Sequence, residues 1–184
     1  MRISTMIACC VMYVFLTGCA SVQVSHDYEE GRAFVEFHSY FWKSQEKELS
    51  GNAREDDPLL HKRLYSTINA VLAERGYRLN AEADFLVSYE YSIATRLESD
   101  PFSTSFGFGI GPRRHYGAFG IGTGSEVRQY DVGILIIDFF DPQTGALIWR
   151  GRGSETVSVH MSPQQTTAMV DRLVQAIIAQ FPPR

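Results

Sequence analysis

Apolar positions along the chain follow two periods. Between Asp57 and Gly76, Leu60, Leu64, Ile68, Val71 and Leu72 recur at spacings of three and four, the stripe of a helix buried on one side. Asp57 supplies an N-cap, Pro58 the first helical position, and Gly76 after Arg75 the stop. A second helix opens on the capping box Ser162-Pro163-Gln164-Gln165 and carries Met169, Val170, Leu173, Val174, Ile177, Ile178 and Phe181 until Pro182-Pro183 ends it. Elsewhere the period is two. Val22 to Ser25 alternates, Phe37 to Trp42 is an aromatic strand, and Phe85, Val87, Tyr89, Tyr91 and Ile93 alternate with Leu86, Ser88, Glu90 and Ser92.

Tyr130 to Phe140 is a long apolar run with Val132, Ile134 and Ile136 on one face and Leu135 and Ile137 on the other. It predicts a central strand covered on both sides. The turn Asp141-Pro142-Gln143-Thr144-Gly145 leads into a strand over Ala146 to His160, where Gly151 and Gly153 predict a bulge or bend. Lys43 to Asp57 is polar and predicts an exposed loop whose charges face solvent. Glu98 to Gly124 breaks all periodicity. Few strands are joined by helices, so the pattern predicts an α+β fold. Two helices pack on one face of a mainly antiparallel sheet, as a two-layer sandwich.

The start of the chain follows neither pattern. Met6 to Leu16 is uninterrupted apolar sequence, preceded by Arg2 and followed by small residues, the layout of a secretory signal. It is shorter than the ~20 apolar residues needed to span a bilayer. The run ends Leu16-Thr17-Gly18-Cys19, which resembles the bacterial lipobox. That resemblance implies diacylglyceryl transfer to the Cys19 thiol, cleavage before it, and acylation of the new amine. The alternative is ordinary signal cleavage nearby, leaving Cys19 free. Residues 1–18 are thus expected as a lipoprotein signal and 19–184 as one domain with a glycine-rich loop at 99–125. By analogy with lipoprotein sorting, Ala20 in place of Asp points to the outer membrane, with the domain facing the periplasm. The expected partners are membrane lipid, through acylated Cys19, and an envelope protein or glycan.

Composition narrows the classes. The 184 residues are 45% hydrophobic and 21% charged with a formal charge of −4, values of a globular domain without the basic excess of a nucleic-acid binder. Of the three cysteines, Cys9 and Cys10 leave with the signal and Cys19 is modified, so the domain relies on its core rather than on disulfides.

Several segments together resemble the bacterial lipoprotein group known as domain-of-unknown-function family 4136. They are the lipobox, Val22 to Tyr28, Tyr40-Phe41-Trp42, Arg75-Gly76-Tyr77 and Ala83-Asp84-Phe85-Leu86-Val87. The glycine-rich interval, the hairpin from Ile137-Asp138 to Gly145, Leu147-Ile148-Trp149-Arg150-Gly151 and Phe181-Pro182-Pro183 complete the set. The resemblance implies an envelope lipoprotein with a small α/β sandwich and no known enzyme activity, so no catalytic residues carry over. Tyr28-Glu29-Glu30 departs from the more Asp-rich segment expected there.

Candidate chemistry is sparse. Phe108-Gly109-Ile110-Gly111 recurs as Phe119-Gly120-Ile121-Gly122. A phosphate cradle leads into a helix N-terminus, whereas this segment leads into a strand and lacks a Gly-Lys-Ser/Thr ending. Phe108, Arg113, Arg114, Tyr116 and Phe119 are the candidate partner-binding residues, the alternative being a solvated loop tip. His26, His38, His61, His115 and His160 form no metal-ligand spacing, and neither a metal nor a cofactor is expected. Asp131 and Asp138 have opposite parity on one strand, so they make no carboxylate dyad; with Asp141 they read as strand-end and turn residues. Trp42 and Trp149 read as core or sheet-face residues. The chain therefore reads as a non-enzymatic envelope lipoprotein that binds or supports a partner, with an envelope hydrolase acting on glycan, peptide or lipid as the alternative.

Overall fold

The computed structural model describes residues 22–44, 50–99 and 127–183. The strands are β1 (Gln23–Tyr28), β2 (Ser39–Trp42), β3 (Arg78–Leu79), β4 (Phe85–Ser99), β5 (Val127–Phe140) and β6 (Leu147–Val157). The helices are α1 (Pro58–Glu74) and α2 (Pro163–Ile178), with a short 3-10 turn at Phe34–Glu36. One six-stranded sheet has the order β1-β6-β5-β4-β2-β3. Its β1-β6-β5-β4 part is antiparallel, and β2 runs parallel to both β4 and β3. This is the α+β class that the periodicity predicts, mostly antiparallel.

Both helices cover one face of the sheet. Odd-numbered Phe85, Val87 and Tyr91 of β4 and Leu135, Ile137 and Phe139 of β5 form one core with the α1 and α2 stripes. Each helix is started by the residues read for it. The Asp57 carboxylate accepts from the Leu59 N–H, and Ser162 and Gln165 exchange capping bonds. α1 stops where Gly76 adopts φ 91° and the Tyr77 N–H reaches back to the Leu72 carbonyl.

The densest packing surrounds Phe181, fully buried just beyond α2. Its ring meets Phe139 edge-on at 4.8 Å, Trp149 at 5.4 Å and Phe34 at 5.5 Å. Trp149 is completely buried, whereas Trp42 is half-buried, stacks on Tyr65 at 4.5 Å and donates its indole N–H to Asn69 Oδ1.

Four expectations change. Gly151 and Gly153 mark no bulge, because the β5–β6 register runs unbroken past both and shifts instead at Phe139/Phe140. Their role is room for α2. A Cβ on Gly151 would lie 2.3 Å from Trp149 Cη2 and 2.5 Å from Ile177 Cγ2, and one on Gly153 would lie 2.8 Å from Ile177 Cγ1. Asp138 is not a strand-end residue. It lies inside β5, on the face away from the helices, in a two-pronged bond with cross-strand Arg150 at 2.7 and 2.6 Å. β4 extends to Ser99 and β5 starts at Val127, so the long hairpin reaches further than the alternation alone indicates. β3 carries no pattern in its two residues. It forms because the chain leaving α1 falls beside β2, where the Arg78 N–H finds the His38 carbonyl and the Asn80 N–H the Tyr40 carbonyl.

Candidate functional site

Cys19, Phe108, Arg113, Arg114, Tyr116 and Phe119, the residues singled out in the sequence, all lie outside the described residues. Among the described residues, no helix is long and apolar enough to cross a membrane.

A different site is built where the first turns of both helices meet the sheet. β2 ends opposite Val87, so among the described residues no strand pairs with this edge of β4 beyond it. The loop before α1 turns onto that edge. Asn52 Oδ1 accepts the Arg54 N–H and its amide donates to Glu55 Oε1, which also accepts the Ile93 N–H at 2.9 Å. His61 of α1 fastens the loop from beneath, with Nε2 donating to the Glu55 carbonyl at 2.7 Å. Nδ1 lies 3.1 Å from the Tyr89 hydroxyl, which donates to the His61 carbonyl at 3.3 Å. Arg54 then reaches across β4 to Asp131 at 2.6 Å, and Thr95 donates to the other Asp131 oxygen at 2.9 Å. The Arg54 hydrogen bond, followed by that from Thr95, holds the Asp131 carboxyl below its ordinary value. The expectation of a solvated loop thus fails for Arg54 and Glu55, which anchor it to the sheet.

The loop closes one side of a cleft of about 190 Å³. Its floor is Tyr91, Ile93 and Val157; Leu60 and Met169 come from the helices, and Met161 precedes α2. Tyr91 lies across β5 because residue 133 is glycine: a Cβ there would sit 2.5 Å from Tyr91 Oη. Tyr91 is only 7% exposed, and burial, assisted by Glu55 and Glu155 against Arg54, pushes its hydroxyl up to about 12. Beyond it, buried Glu155 receives the Arg172 guanidinium from α2. Among the described residues no group accepts the Tyr91 O–H.

Neither Tyr91 nor Arg54 stands out in the sequence as a site residue. Tyr91 reads as one more core position of an alternating strand, and Arg54 as one of many loop charges. The one local signal was Gly133 inside an otherwise bulky run.

The model of the family described as Domain of unknown function (DUF4136) matches residues 24–183. The chain belongs to this family. The match takes in all of the sheet except Gln23, both helices and the cleft, so the DUF4136 domain and the described fold nearly coincide. Among curated proteins none matches the chain. Among solved structures, a PDZ domain protein from Parabacteroides distasonis is similar with a TM-score of 0.50 and 14% identity over 89% of this chain. This chain spans only 36% of that protein, and the likeness concerns the fold alone. The PelC dodecamer from Paraburkholderia phytofirmans aligns over 89% of this chain and 99% of its own, at a TM-score of 0.46 and 12% identity.

Proposed function

We propose that this DUF4136 chain is a lipid-anchored protein of the bacterial envelope. It holds its domain at the periplasmic face of the outer membrane and binds a partner there without catalysing a reaction. The observation that carries this reading is the spacing between Cys19 and the fold. Leu16-Thr17-Gly18-Cys19 closes an apolar leader, and β1 begins at Gln23. Four residues extend at most about 14 Å, at ~3.3–3.6 Å each. An acylated Cys19 would therefore keep the sheet edge against the bilayer surface.

One acyl chain binds a membrane marginally, at ~0.8 kcal/mol per buried methylene, and several chains on one residue make release negligible. Confinement to a surface raises the effective concentration of a partner in the same layer, so modest affinity suffices. Binding is favoured over reaction by what the charged groups lining the cleft already do: Arg54 is held by Asp131, and Asp57 caps α1.

Intact mass and membrane fractionation of the wild-type and Cys19→Ser chains test the reading. The expected result is a mature chain starting at Cys19, heavier by its acyl groups and sedimenting with outer membrane, with the variant released. An unmodified mass in the aqueous phase overturns it. Turnover of wall glycan, peptide or phospholipid by the purified protein overturns the non-enzymatic part.

A further inference from the structure

We propose that the cleft beside Tyr91 seats one neutral, apolar side chain of a partner protein, whose backbone carbonyl accepts the hydrogen bond of the Tyr91 hydroxyl. The inference deepens the binding reading above and rests on it.

The hydroxyl comes first. Tyr91 is more than nine-tenths buried, is aimed along the cleft floor by Gly133, and finds no acceptor among the described residues. The side chain is buried, but its hydroxyl opens into the cleft, where an acceptor from outside can reach it. Burial keeps the phenol protonated at neutral pH, so it offers a proton rather than a negative charge. The chemical complement of that hydroxyl is an acceptor oxygen.

Charge then selects a neutral occupant. Arg54 is answered by Asp131, and the Asp57 carboxylate caps α1. The hydroxyls of Thr166 and Ser158 are engaged with the Ser162 carbonyl and the His160 N–H. A free amino acid would bring an ammonium and a carboxylate into a cleft whose charged groups are already matched. An amide carbonyl inside a polypeptide brings neither.

Size and lining select the rest. About 190 Å³ is room for roughly six waters at ~30 Å³ each, below the ~300–1,000 Å³ of pockets that enclose a drug-sized ligand. One branched aliphatic side chain fits that space; a long acyl chain does not. Leu60, Ile93, Val157, Met161 and Met169 provide apolar walls, and the two unbranched methionines adapt to a guest. Val159, 64% exposed at the rim, extends the apolar surface outward, as around the anchor residue of a protein interface.

The methionines also supply the test. Met161 and Met169 line the cleft, and the other three, Met1, Met6 and Met12, belong to the leader. The full chain, labelled with ¹³C at its methionine methyls and assigned through Met161→Leu and Met169→Leu, is titrated with N-acetyl-leucinamide. N-acetyl-leucine and leucinamide serve as anionic and cationic analogues. Saturable movement of both cleft methyls is expected, several-fold weaker binding of either charged analogue, and roughly three- to tenfold weaker binding in Tyr91→Phe, the range of one neutral hydrogen bond. Val159→Asp, at an exposed position the fold tolerates, should weaken binding independently.

Immobile cleft methyls up to the solubility limit of the neutral probe sink the proposal. So does undiminished affinity in Tyr91→Phe, or tighter binding of a charged analogue. The same shifts are expected in the Cys19→Ser chain. A failed anchor therefore shows in fractionation, while a failed cleft shows only in the spectra.

Discussion

The two ends of the helix-covered core are built differently. At one end Phe181, Phe139, Phe85 and Trp149 interlock, all fully buried and with ring centres 4.6–5.7 Å apart. At the other end the loop before α1 is held by Arg54, Glu55 and His61 through polar bonds, and a cleft stays open beneath it. Close-packed rings leave no space and give stability through contact. Directional bonds fix a loop while leaving a gap in front of it. Close packing and an open cleft are thus placed at opposite ends of one sheet.

Phe181→Ala should have the largest effect, a loss of about 3–5 kcal/mol in denaturant unfolding, because it opens a cavity among rings that cannot collapse together. A loss no greater than that of a surface substitution would remove the distinction between the ends. Gly151→Ala comes next, at about 1–3 kcal/mol, since the new methyl meets Trp149 and Ile177 within 2.5 Å. Its cleft-end counterpart Tyr91→Phe deletes an unpartnered hydroxyl and should leave stability within about 0.5 kcal/mol. Thermal melts of the three variants side by side check the ranking.

Acid sharpens the same contrast. Asp131 at the cleft end is lowered by Arg54 and then Thr95, and Asp141 in the β5–β6 turn is pushed down to about 2 by the Thr144 N–H and then Arg32. A depressed carboxylate stabilises the fold above its ordinary value of 3.8, and that contribution is lost as pH falls through the folded value. Asp131, the less depressed, protonates first. The Arg54 amide signal should therefore broaden at a higher pH than that of Thr144. Simultaneous loss of both signals would mean that the two ends are not independent.

Much of this architecture is legible along the chain. The stripe from Leu60 to Leu72 and the capping box at Ser162 identify both helices, and the opposite parity of Asp131 and Asp138 holds in three dimensions. Gly151 suggests a bulge along the chain and makes room for α2 in the fold, because a glycine within a strand has the same signature in either role. β3 is invisible along the chain because two residues carry no period.

Periodicity and capping act over one or two turns, so the residues alone dictate the helices, the strand faces and the α+β class. Bonding across distant segments is not written locally. Arg54 meets Asp131 seventy-seven positions away, and Tyr91 becomes a buried side chain with its hydroxyl turned into the cleft only once Gly133 lies under it and both helix starts wall it in. Local patterns record which face of an element is apolar; which elements meet, and what space they leave, is set by packing of the whole chain.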